Sequence, residues 1–129
     1  MAEEFQTSKP IYYQLAERIN RQIVRNELKA GDKLPSVREM AIHSGVNPNT
    51  VQRTYRELEG MGIVETRRGQ GTFVTENEDV LQQLRESLKE EYISTFVNDM
   101  KEMGFTNEEM LSGLQEYFTQ ERNGGGEDD

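Results

Sequence analysis

The sequence predicts a mainly α-helical chain with one small β-hairpin, and three stretches carry that prediction. Leu34 to Gly62, LPSVREMAIHSGVNPNTVQRTYRELEGMG, holds two short helical patterns turning at Gly45. Ile63 to Thr75, IVETRRGQGTFVT, alternates about a glycine-rich middle, as hairpin strands do. From Leu81 to Phe118 apolar residues recur at steps of three and four, the period of amphipathic helices.

Residues 1–8 are polar apart from Phe5 and read as a loose arm from which Phe5 docks on a partner. From Pro10 to about Asn26, Ile11, Leu15, Ile19 and Ile23 recur every fourth position beside Ala16 and Val24, which predicts a helix buried along one side. Tyr12 and Tyr13 fall in its first turn, where packing is the expected use and a phenol near a phosphate the alternative. Lys29 to Leu34 turns at Gly31 and is expected to pair briefly with the hairpin.

Ser36 then offers an N-cap, with Glu39 spaced to bond back to the Ser36 amide. Gly45 suits a left-handed residue that turns the chain. Asn47 supplies the next cap, and Pro48 fits the first helical position because its missing N–H has no intrahelical partner there. In the helix that follows, Val51, Tyr55 and Leu58 share one face, while Asn49, Gln52, Arg53 and Arg56 fall on the other. Amide and guanidinium groups suit base edges in a major groove, because Asn or Gln can bond adenine bidentately and Arg can bond guanine. The same face also reads as the solvated side of an ordinary helical hairpin.

Ile63–Arg67 and Thr72–Thr75 read as strands joined through Arg68, Gly69, Gln70 and Gly71. The glycines permit close backbone approach, and Arg67 and Arg68 can neutralise phosphates or enter a minor groove. A helix-turn-helix followed directly by such a hairpin is a winged helix.

In the second half, Leu81, Leu84, Leu88, Tyr92, Phe96 and Met100 or Met103 form a stripe widened by Val80, Ile93 and Val97. One helix of about 40 Å is expected over Glu78 to Met103, ended by Gly104. Thr106 and Glu109 form a second capping box, and Met110, Leu111, Leu114, Tyr117 and Phe118 predict a helix to about Glu121. Two such helices cannot bury their apolar faces alone, so they are expected to dimerise, with Leu81, Leu84, Leu88, Tyr92, Phe96, Met100, Leu111, Leu114 and Phe118 at the seam; the alternative is that they fold back on their own winged domain as a monomer. The expected layout is a winged domain over 1–76, a helical dimerisation region over 77–122 and a disordered acidic tail over 123–129.

The net charge of −9 is unevenly spread. Residues 1–75 hold 11 Lys and Arg against 9 Asp and Glu, a net of +2, whereas residues 76–129 hold 4 against 15, a net of −11. Screening over roughly 8 Å makes the local sign govern contact with a polyanion. The absence of cysteine excludes disulfides and thiolate chemistry. The N-terminus lacks an apolar signal region and no apolar run reaches membrane-spanning length, so a cytoplasmic protein is expected. His43, the only histidine, reads as a surface group at a helix C-terminus. With no His-paired nucleophile and no phosphate-cradling loop, the expectation is a non-enzyme without metal or cofactor.

From Pro10 to Val74 the sequence closely resembles the N-terminal domain of GntR-type bacterial transcription regulators, through ELKAGDKLPSVREMA and GVNPNTVQRTYRELEGMGIVETRRGQGTFV. NPNTVQRTYRELE, with the short C-terminal part, resembles the YtrA subgroup. The resemblance implies a dimer joined through C-terminal helices and frequent association with transporter operons. It also places Arg38, the stretch Asn47 to Arg53 and the wing-tip glycines at the DNA. Many members carry Arg where this chain has Pro48.

The expected function is a homodimeric transcription regulator, a repressor on an inverted-repeat operator, with transporter genes as targets. Asn49, Gln52 and Arg53 are candidates for base readout, and Arg38, Arg67 and Arg68 for phosphates. Ser36, Asn47, Thr50, Gly69, Gln70 and Gly71 complete the candidate DNA-binding set. The expected partners are double-stranded operator DNA, a second copy and an unidentified small-molecule effector, with no membrane. The alternative is a winged-helix adaptor for protein partners that binds no operator.

Overall fold

Local signals in the sequence set most of the element boundaries. A computed structural model describes Phe5 and residues 8–125, in the order α1 (Ile11–Val24), α2 (Val37–Ser44), α3 (Pro48–Gly60), β1 (Val64–Arg67), β2 (Gly71–Val74), α4 (Glu78–Glu102) and α5 (Asn107–Gly125). The chain divides into two compact units between Glu86 and Ser87. The mainly helical fold with a two-stranded wing is the one the sequence predicts.

In the first unit the start of α2 is a complete capping box: the Glu39 amide donates to Ser36 Oγ at 3.1 Å, and the Ser36 amide donates to Glu39 Oε1 at 2.9 Å. Gly45 ends the helix at φ +70°, a left-handed conformation that costs a residue with a Cβ more than it costs glycine. Asn47 Oδ1 then accepts from the Asn49 amide at 2.7 Å, and Pro48 takes the first helical position of α3.

Helix α3 packs against α1, α2 and β1, so it is the centre of the unit. The core joins Leu15, Ile19 and Ile23 of α1, Met40 and Ala41 of α2, and Val51, Tyr55 and Leu58 of α3 to Leu34, Ile63, Val64 and Val74. Each fully buried aliphatic side chain contributes about 1.5–3 kcal/mol of transfer free energy. Gln14 is buried as well, which the apolar periodicity of α1 did not signal; its Nε2 donates to the Lys9 carbonyl at 2.8 Å. Within the expected N-terminal arm, Phe5 lies over the Arg18 guanidinium of its own chain at 4.6 Å, and residues 1–4, 6 and 7 lie outside the described residues.

The wing pairs β1 with β2 antiparallel, Val64 opposite Val74 and Arg67 opposite Gly71. The segment before α2 adds to it as a single bridge, Lys33 to Phe73. The Leu34 amide donates to the Thr72 carbonyl at 2.7 Å and the Val74 amide to the Asp32 carbonyl at 2.8 Å, so the turn at Gly31 does return a piece of chain to the wing.

Asn77 Oδ1 caps α4 by accepting from the Asp79 amide at 3.0 Å. Val80, Leu81 and Leu84 pack against the core of the winged unit, which is why that unit runs on to Glu86. Leu81 and Leu84, expected at a seam between subunits, are thus partly covered by their own chain. Apolar spacing alone cannot tell intrachain from interchain burial.

In the second unit α4 ends at Gly104, φ +92°, where the Phe105 amide donates to the Met100 carbonyl at 3.1 Å. Thr106 and Glu109 then exchange the expected capping bonds at 2.9 and 3.1 Å. Met110 is the one buried residue of this unit among those described. Tyr92, Ile93, Phe96, Met103, Phe105, Leu111, Leu114, Tyr117 and Phe118 are exposed. Helix α5 reaches Gly125, past the expected end near Glu121. Arg122 in its last turn complements the helix dipole, and Asn and Gly each cost a helix only about 1 kcal/mol or less. The rest of the expected acidic tail, 126–129, lies outside the described residues.

Candidate nucleic-acid interface

The candidate surface is assembled from the start of α2, the outer face of α3 and the wing. Two tethers fix these parts to one another. The buried Tyr55 hydroxyl of α3 donates to the Pro35 carbonyl at 2.8 Å, just before the Ser36 cap. Burial raises the Tyr55 phenol pKa above its ordinary value and the negative Glu39 adds to the effect, so the hydroxyl stays a donor. The main-chain bonds of Asp32 and Leu34 attach the same connecting segment to the wing.

On α3, Val51, Thr54, Tyr55 and Leu58 are buried, and Asn47, Asn49, Gln52, Arg53 and Arg56 are exposed. Thr50 is half-buried, at the border between the faces. Ser36 and Arg38 are exposed at the start of α2. Ser36 Oγ and Asn47 Oδ1 are already acceptors for helix amides, so what Asn47 offers outward is its amide donor side. No carboxylate pairs with Arg53 among the described residues. Its guanidinium instead lies 3.8 Å from the centroid of the Tyr12 ring.

The wing tip turns at Arg67–Gln70, with the Gln70 amide donating to the Arg67 carbonyl at 2.8 Å and Gly69 at φ +76°. Gly69 thus takes the third turn position, where a positive φ favours glycine. The two arginines differ. Arg67 lies over the Phe73 ring at 4.1 Å and near two carboxylates, Glu65 at 3.4 Å and Glu76 at 3.8 Å. Arg68 is exposed, with no such partner among the described residues. Arg67 is thus engaged within the wing, and Arg68 makes no such contact among the described residues.

Lys33 is a cation that sequence reasoning passed over. Its Cε lies 2.8 Å from where a Cβ on Gly71 would stand, which puts an exposed lysine alongside the wing. The clue was its position beside the inward-facing Leu34 in an extended segment. The nearness of Tyr12 to Arg53 left no clue, because the two residues are far apart in sequence.

A buried-faced helix presenting amides and guanidinium groups, set beside a glycine-tipped hairpin, defines a winged helix-turn-helix domain of the DNA-binding kind. The gntR family of bacterial regulatory proteins matches residues 11–74, and the chain belongs to that family. It is 56% identical to the helix-turn-helix-type transcriptional regulator YhcF of Bacillus subtilis, over 91% of this chain and 97% of that protein. It is 43% identical to the transcriptional repressor YtrA of the same species, over 65% of this chain and 69% of that one. Among solved structures, a GntR family transcriptional regulator from Listeria monocytogenes superposes with a TM-score of 0.82 at 38% identity, covering 87% of this chain and 98% of its own. The relatives are transcriptional regulators rather than enzymes.

Proposed function

We propose that this regulator is a homodimeric repressor that occupies an inverted-repeat operator and so excludes polymerase. The observation that carries the reading is the division of α3 into a buried apolar side and an exposed side bearing Asn49, Gln52 and Arg53. These three read base edges in the major groove. Arg38 and Arg68 set the register on phosphates, helped by Lys33, with Arg67 holding the wing in shape. Ser36, Asn47, Thr50, Gly69, Gln70 and Gly71 lie against the sugar-phosphate backbone or the minor groove.

The repressor sense is supported by the similarity to YtrA, which is described as a repressor. Dimerisation is supported by the many large apolar side chains left exposed on the second unit, more than two helices ordinarily leave in water. Its seam comprises Leu88, Tyr92, Phe96, Met100, Leu111, Leu114 and Phe118. Two-fold closure then sets the two recognition helices on half-sites about one DNA turn apart or at a related spacing. The seam, lined by Met and aromatic groups, is also where an apolar effector would act. Family resemblance makes transporter genes the target. No helix among the described residues is long and apolar enough to cross a membrane. Membership of a bacterial regulatory family whose partner is DNA supports the cytoplasm as its place of action.

The test is fluorescence anisotropy of the full chain on the duplex upstream of its own gene and on a shuffled duplex, over a range of salt. Binding about a thousandfold or more tighter to the first, weakening steeply with salt on both, is the expected result. Equal, weak binding to the two would instead favour a protein adaptor.

A further inference from the structure

We infer that Tyr12 is a positioning residue for recognition: its ring is the platform that holds the Arg53 guanidinium in the orientation from which it meets a base edge. This rests on the reading of Arg53 proposed above, and it adds a residue from α1 that no feature of the reading helix would suggest.

The geometry is that of a stack. The guanidinium carbon lies 3.8 Å from the ring centroid, at van der Waals distance from the ring. The residue that carries the ring is anchored through its backbone. Thr54, the neighbour of Arg53 in the chain, is fully buried, and its Oγ1 lies 3.1 Å from the Tyr12 carbonyl and 3.0 Å from the Thr50 carbonyl, sharing its one proton between them. The backbone of Tyr12 is therefore tied to the same turn of α3 that projects Arg53. Both halves of the stack are referenced to one point in the fold.

What the stack leaves free matters as much as what it holds. A cation over a ring uses the face of the guanidinium, so the N–H donors in its plane remain open to bidentate bonding with guanine O6 and N7. Arg67 is the contrast within the same unit: it too lies on a ring, but two carboxylates stand against it. An arginine ordered before it docks also loses less side-chain freedom on binding than one ranging through solvent. Tyr12 thus contributes to selectivity without touching DNA, and the phenol oxygen is not needed for it.

The test uses the full chain and a duplex enriched from a randomised pool by the wild-type protein, with affinities measured for all four bases at each position. Tyr12→Ala is expected to weaken binding to the enriched duplex about threefold to tenfold, the range a cation–π contact supports. It should flatten preference at the same base pair whose preference Arg53→Ala removes. Tyr12→Phe should retain both affinity and preference, and the double variant should bind no worse than Arg53→Ala alone. Tyr12→Leu keeps apolar bulk against α3; it should melt with the wild type yet repeat the Ala profile, which separates positioning from folding. Fully additive losses, or a Tyr12→Ala effect equal on every sequence, would overturn the platform. If Arg53→Ala removes a preference that Tyr12→Ala leaves intact, only the platform falls. If Arg53→Ala changes no preference, the reading of Arg53 falls and takes the platform with it.

Discussion

Gly71 shows how a single wing residue can be constrained by backbone conformation. Its φ of +124° is one that L side chains rarely adopt. A Cβ there would also meet Lys33 Cε at 2.8 Å, but the end of a lysine can swing aside, so the dihedral is the lasting cost. Gly71→Ala is expected to lower stability by about 1–3 kcal/mol in urea unfolding. Tyr55 makes a different kind of tether, one buried hydroxyl on the Pro35 carbonyl. Tyr55→Phe keeps the ring in the core and loses that bond, which should cost about 1 kcal/mol in the same measurement. Its further effect is to loosen the start of α2 relative to α3, and Arg38 with it.

At the scale of elements, the ends of helices are governed by short-range chemistry. The capping box of α2 holds the Glu39 carboxyl below the ordinary carboxylate range, chiefly through the Ser36 amide and then through its hydroxyl. A group whose folded pKa is depressed stabilises the fold above its unfolded value and ceases to do so as pH falls through the folded one. Glu39→Gln can occupy the same cap without titrating. The melting temperatures of wild type and Glu39→Gln should therefore converge as pH is lowered through the acid range, and a gap that stays constant or widens would contradict this. The same locality explains what was legible. Ser36 with Glu39, Gly45, Asn47 with Pro48, Gly104 and Thr106 with Glu109 each mark a boundary by contacts a few residues apart, so the sequence displays them. Arg53 on Tyr12, Arg67 near Glu76, and Lys33 beside Gly71 depend on where separate elements meet, and no local pattern encodes that. The outward face of α3 was legible because it is the complement of an apolar period, whereas which of its groups would be held in place was not. Leu81 and Leu84 mark the same limit for burial, since the stripe they share with Leu88 looks identical on either side of the division between the units.

For the whole molecule, charge and apolar surface separate along the chain. The winged half carries a small positive net charge and the remainder a strong negative one, so attraction to DNA is local to the reading face. Phe118 and Leu114 stand exposed in the acidic half. Replacing Leu114 by Glu should shift the chain from dimer to monomer in sedimentation velocity, and it should cut operator affinity while leaving the fold of the winged unit unchanged by circular dichroism. A wild-type chain that sediments as a monomer at working concentration would remove the dimer from the account. The central claim, that α3 reads sequence while the wing supplies charge, meets its most direct test in one comparison of base-preference and salt profiles for Gln52→Ala and Arg68→Ala. Gln52→Ala is predicted to relax preference at one or two base pairs by about 1–3 kcal/mol, and Arg68→Ala to weaken every sequence alike and flatten the salt slope. Equal losses on enriched and random DNA for both variants would contradict it.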